Sequence, residues 1–244
     1  MTNHPLSIHP YSVQPGDSVW QLAQRFGISL HDIFALNPGM DPNCLYVGQR
    51  IAIPLKTEAR STKCITSQEV ELKSDMRGLW EQHIAWTRMT IISLTFKLPD
   101  VDPVVTRLLQ NATDMGDVLK PWYGNELGDM YASLIREHLT LAAELVKAAL
   151  AGNQQAAAEA ERKWYANADK ISVFLGKINP FLTVEEVRKM FYKHLDLTKT
   201  EAVLMINMDY QKDIQVYDEI QKQAIGMSDA ITDAIVKQFQ TKFR

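Results

Sequence analysis

A chain of 244 residues has room for one large domain, or for a small one joined to a medium one. With 46% hydrophobic residues, 23% charged residues and a net charge of −3, it reads as ordinary globular protein. That balance gives no electrostatic footprint for nucleic acid or for an anionic membrane surface. The two cysteines, Cys44 and Cys64, form neither a metal-ligand spacing nor a disulfide framework, and read as free thiols. No run is long and apolar enough for membrane insertion. The opening MTNHPLSIHP has no basic stretch, apolar stretch or cleavage site of the kind that makes an export signal.

Residues 1–9 read as a loose leader. Tyr11-Ser12-Val13 is a short β-type run, and Gln14-Pro15-Gly16-Asp17 is a turn in which proline presets φ and glycine admits a positive one. Asp17 or Ser18 can cap the helix that follows, whose Val19, Leu22, Ala23 and Phe26 form an amphipathic stripe. Trp20 sits beside that stripe and is expected in the core. Gly27 stops the helix, and Ser29 with Asp32 opens a second, with Ile33 and Leu36 on its buried side. Asn37-Pro38-Gly39 ends it, and Arg50-Ile51-Ala52-Ile53 is an alternating strand closed by Pro54.

Together these signals resemble a LysM domain over residues 10–54. The resemblance rests on V-x-x-G-D-S-V-W from Val13, A-x-R-F-G-I-S from Ala23, Asn37-Pro38, and V-G-Q-x-I-x-I-P from Val47. It implies a βααβ module that binds N-acetylglucosamine-containing glycans such as peptidoglycan and chitin. It also implies a shallow groove between two loops. Carried over by position, Gly16, Asp17, Ser18 and Val19 lie on one side, and Asn43, Cys44, Leu45 and Tyr46 on the other. Gly16 and Asp17 would serve the turn and cap even in a module that bound nothing.

Residues 55–67 are polar and aperiodic and read as a linker. Residues 68–244 read as an all-α antiparallel bundle of four to five long helices. A first runs from Gln68 and ends before Pro99, with Leu72, Met76, Trp80, His83, Thr87 and Ile91 on one face. A short helix lies around Val104 to Leu109, followed by a loop through Pro121 and Gly124. Others cover Asn125–Ala151 and Gln154–Lys177, and Thr183 with Glu186 is a capping box for the next. A turn at Asn207-Met208-Asp209 divides the remainder, which would otherwise make one overlong helix.

Three helices carry a histidine flanked by apolar residues: His83, His138 and His194. At one level of a bundle they form either a buried polar layer, satisfied by carbonyls or by Thr87 and Thr198, or a three-histidine metal site. Asp213 or Asp218 would complete the latter. A Glu-x-x-His pair of the di-iron type is missing here, as are G-x-S-x-G, phosphate-loop and His-Glu-x-x-His motifs. The helical part resembles an uncharacterised helical family of endospore-forming bacteria. That resemblance rests on LWEQHIAWTRMTIISL, RLLQNATDMGDVLKPWYG, ERKWYANADKI and DAITDAIVKQF.

The expectation is therefore a non-enzymatic protein without a cofactor. A LysM-like module would tether a helical assembly or partner-binding domain to peptidoglycan or chitin-type glycan at the spore coat, cortex or cell wall. Its partners would be a coat or wall protein, or further copies of itself. The alternative is a metal- or cofactor-dependent helical-bundle enzyme localised by the module.

Overall fold

The structure, a computed structural model, describes residues 7–26, 28–41, 44–55 and 65–243. The chain divides into two compact units, Met1–Cys64 and Ile65–Arg244. The expected fold class holds: a βααβ module followed by an all-helical region.

In the first unit, β1 (Ser7–Ser12) pairs antiparallel with β2 (Arg50–Leu55), Ser7 opposite Leu55 and Ser12 opposite Arg50. Strand pairing thus begins within the stretch read as a loose leader. Helices α1 (Val19–Phe26) and α2 (Leu30–Leu36) cover the sheet. Val13, Val19, Leu22, Ala23, Ile28, Ile33, Ile51 and Ile53 form the core between them. The caps follow from sequence. Ser18 accepts from Gln21 N–H while the Gln21 side chain takes the Ser18 N–H, and Ser29 accepts from Asp32 N–H. Gly27, expected as a helix stop, lies outside the described residues.

A two-stranded sheet is marginal by itself, and Asn37 supplies what it lacks. Its carboxamide accepts the Ala52 N–H and donates to the Ala52 carbonyl, both at 2.7 Å, so the end of α2 stands in for another strand beside β2.

In the second unit, Thr66 caps α3 (Ser67–Thr95), so helix begins inside the stretch read as linker, while residues 56–64 lie outside the described ones. It continues through α4 (Val101–Asp117), a single turn α5 (Lys120–Tyr123), α6 (Asn125–Leu150), α7 (Gln154–Ile178), α8 (Val184–Ile206) and α9 (Tyr210–Gln238). Among the described residues there are thus six long helices rather than four to five, because α4 is far longer than the segment around Val104 to Leu109. It runs through Gly116, whose missing side chain serves packing. A side chain there would come within 2.5 Å of the Gly128 carbonyl on α6, so the two helices meet through glycine. The Thr183–Glu186 capping box is present, and the turn after α8 forms with Met208 at φ 62° and Asp209 capping α9.

Successive helices are neighbours, and α9 returns to α3, which closes a ring of six. Chain direction alternates around it, so α3, α6 and α8 run one way and α4, α7 and α9 the other. The interhelical bonds fit this: Arg77 meets Asp229 while Arg88 meets Asp213. The helices α3, α6 and α8 also approach one another across the centre, through their histidines. No helix among the described residues is long and apolar enough to cross a membrane.

Candidate functional site

The two loops carried over as glycan contacts leave the same end of the small sheet. Val13 N–H donates to the Gln49 carbonyl at 2.9 Å and Gly48 N–H to the Val13 carbonyl at 2.8 Å, which ties them together. The first is a tight turn closed by Asp17 N–H on the Gln14 carbonyl, with Gly16 at φ 86°. The Asp17 side chain is 4% exposed and turns inward. It accepts from the Tyr11 hydroxyl at 2.7 Å, the Gln14 N–H at 2.8 Å and the Arg25 guanidinium at 3.1 Å. The Tyr11 bond and then the Gln14 N–H hold its carboxyl below the usual range, and the same contact with Asp17 pushes the tyrosine up. Ser18 is occupied as the cap and Val19 is core. This side therefore offers a ligand its backbone and the bare Gly16, where a side chain would meet nothing within 4 Å among the described residues.

The second loop closes through Gln49 N–H on the Tyr46 carbonyl, with Gly48 at φ 86°. Cys44 is exposed, Leu45 half-buried against the core, and Tyr46 and Val47 are 67% and 63% exposed. Asn43 and Cys64 lie outside the described residues. Trp20 corrects the sequence expectation, for it is 61% exposed rather than core. Val19, Leu22 and Ala23 form the inward face of α1, and one residue on from Val19 the helix has rotated about 100° toward solvent.

The comparisons agree with this geometry. The family match to the LysM domain covers residues 11–54. Residues 11–54 are a LysM domain. Over 51 residues the chain is 39% identical to the Probable endopeptidase p60 of Listeria innocua, a match covering 20% of this chain and 11% of that protein. Over 49 residues it is 33% identical to the Secreted LysM effector Blys4 of Beauveria bassiana, covering 20% of this chain and 29% of that one. The chain thus spans less than a third of the length of these curated relatives. No solved structure matches it. A LysM domain implies binding to glycan of the peptidoglycan or chitin type.

Beyond the LysM domain, the bundle does bring His83, His138 and His194 together, with ring centroids 5.6 to 6.4 Å apart. Each is 2–3% exposed. One device repeats three times around the centre. The Nδ1 of His83 pairs with Asn111 Oδ1, that of His138 with Asn167 Oδ1 and that of His194 with Gln223 Oε1, all at 3.1 Å. Each amide's nitrogen donates in turn to the carbonyl one turn before its histidine, at Leu79, Leu134 and Met190. With the amide nitrogen committed as donor, its oxygen is the acceptor and every Nδ1 carries the proton.

On His138 the remaining Nε2 accepts from Trp164 Nε1 at 3.2 Å. Burial lowers all three rings, to about 3 for His83, to about 4 for His194 and well below the ordinary value for His138. The layer is neutral and hydrogen-bonded. No group of three or more His, Cys, Asp or Glu among the described residues is arranged to hold a metal ion. Thr87 donates to the His83 carbonyl, not to a ring. The sequence pointed to the histidines but missed their amides, although the pairs recur at separations of 28, 29 and 29 residues and each amide precedes an alanine.

The carboxylates proposed to complete a metal site stand elsewhere. Asp218 is exposed. Asp213, 1% exposed, shares Arg88 with the equally buried Glu201: Arg88 donates to Asp213 Oδ2 at 2.5 Å and to Glu201 Oε1 at 2.6 Å. The guanidinium also lies 4.7 Å from the Tyr217 ring centroid. Burial pushes Glu201 up to about 7 against the pull of Arg88. Among the described residues Asp213 Oδ1 has no hydrogen-bond partner.

Proposed function

We propose that this chain is a non-enzymatic glycan-binding protein. Its LysM domain, through residues 16–19 and 43–46, tethers the helical bundle to peptidoglycan at the spore or cell wall. The bundle then serves assembly or partner binding, with a coat or wall protein or with further copies of the chain. The observation that carries the reading is the LysM domain itself, with its two loops braced internally and Tyr46 and Val47 left facing solvent. The bundle's titratable interior favours a structural role, since the histidines are buried and each Nδ1 is engaged. One shallow module meets the cost of association with few contacts, so retention calls for long glycans or several copies.

Co-sedimentation with purified insoluble peptidoglycan, and separately with chitin, tests this. The full chain is expected in the pellet and residues 65–244 in the supernatant. A full chain that stays in solution with both polymers ends the glycan reading. Equal sedimentation of the two would move wall binding to the bundle.

A further inference from the structure

The helices α3, α6 and α8 are filled on one side of the histidine layer and hollow on the other. One turn before the histidines stand Trp80, Ile135 and Phe191, each 1% exposed, and they close the centre. One turn after stand Thr87, Ala142 and Thr198, side chains too short to meet across it. A cavity of about 160 Å³ lies there, lined at the histidine end by Leu139 and Trp164. Ile91, Val146 and Ala202 line it a further turn along. With Met205 these three form an apolar cluster separate from the main core, so the hollow divides the bundle's interior in two.

We propose that this cavity binds a small apolar ligand, an aromatic ring or alkyl chain of about six or seven carbons. Close-packed interiors seldom keep a void of this size. An aliphatic cavity of about 150 Å³ stays dry and accepts benzene. Water is poorly served here. Thr87 and Thr90 already donate to the carbonyls of His83 and Trp86, at 2.7 and 2.8 Å. The charged lining side chains are Lys199 and Glu161, which pair with each other at 2.5 Å and are 42% and 31% exposed. Together with Val203, 45% exposed, they mark where the cavity reaches the surface. A polar head on the ligand would stay at that pair while the apolar body enters.

Toluene is the probe, added to the full chain. At a free concentration about ten times its Kd it is expected to raise the midpoint of helix melting by about 3–5 °C. Ala202→Leu, which fills the cavity, should abolish the shift. In the unmodified chain, toluene should show nuclear Overhauser contacts to the methyls of Ile91 and Val146, a readout independent of how the variant folds. An equal shift in the variant, or the absence of contacts to those methyls, overturns the proposal.

Discussion

Both units rely on a side-chain amide, but to different ends. In the LysM domain, Asn37 mimics a strand edge and completes a sheet of two strands over a small core. In the bundle, Asn111, Asn167 and Gln223 fix the tautomer of three histidines deep inside a large one. The module keeps the groups proposed to meet glycan on turns at the surface, where changing them should alter binding. The bundle keeps its polar groups at the centre, where changing them, or their protonation, alters stability. The difference separates what can be read as a ligand contact from what can only be read as a folding constraint.

Acid should separate the units most strongly. An unfolded histidine titrates near 6.5, whereas buried His83 and His194 take up a proton only at about 3 and about 4, and buried His138 only well below the ordinary value. As pH falls below about 6.5 the unfolded chain binds more protons, and each histidine removes up to about 1.4 kcal/mol of stability per pH unit. Glu201 acts in the opposite sense. Its folded pKa is raised to about 7, so its contribution is complete below about 4.5 and fades as pH rises through 7. Three groups against one leave a net loss of up to about 3 kcal/mol between pH 6 and 5, with stability levelling off only above about 7. Urea unfolding followed by helix signal at pH 7, 6 and 5 measures this. In the module, the depressed Asp17 makes a contribution that is present above about 4 and lost only below it. A bundle as indifferent to this pH window as the module would break the comparison.

Arg88→Met comes next. It strands Glu201 and Asp213 as buried carboxylates, and loss of one member of such a cluster costs about 3–5 kcal/mol. Adding Glu201→Gln should restore part of the loss at neutral pH, because without Arg88 the buried Glu201 must take up a proton to stay in place, a cost that glutamine does not carry. A single variant within about 1 kcal/mol of the parent in urea unfolding would mean that water reaches the cluster freely.

The smaller test lies in the module. Asn37→Ala leaves the Ala52 N–H and carbonyl without their partner, a cost of about 1–3 kcal/mol. Hydrogen exchange should show faster exchange at the Ala52 amide and its neighbours in β2, with the protection of α3 to α9 unchanged. Faster exchange throughout the bundle would show that the two units do not unfold independently.

Much of this architecture was legible because local chemistry and fold agree. The turn at Gln14–Asp17, the cap at Ser29, the Thr183–Glu186 box and the break before Asp209 all formed where their residues predicted. The misreadings lie where a long-range contact overrides a local signal. The helix expected only around Val104 to Leu109 runs on as α4 through Gly116, which lets it approach Gly128 on α6. The stretch before Tyr11 has no strand pattern, yet Ser7 to Pro10 pair with β2. The histidines were visible as polar residues amid apolar ones. Their amides were not, because an asparagine on a helix looks like surface until its partner 28 or 29 residues away is known. Asp213 shows the converse: a buried carboxylate was expected near the histidines, and the register of α9 on α3 gave it to Arg88 instead.

The finest test concerns the two exposed aromatic residues of the LysM domain. Tyr46 and Trp20 are 67% and 61% exposed, so replacing either by alanine should change stability by no more than about 0.5 kcal/mol. Their effects on binding should differ. Tyr46 lies in the loop tied to the Gln14–Asp17 turn through Val13, where it can offer its ring to a sugar face. Tyr46→Ala should then weaken glycan binding by about 1 kcal/mol, roughly fivefold in Kd. His31→Ala, at a side chain 92% exposed on α2, is the control and should leave Kd unchanged. If Trp20→Ala weakens binding and Tyr46→Ala does not, the glycan lies along the first turn of α1 rather than against the loop before β2. The misread tryptophan would then be the aromatic contact.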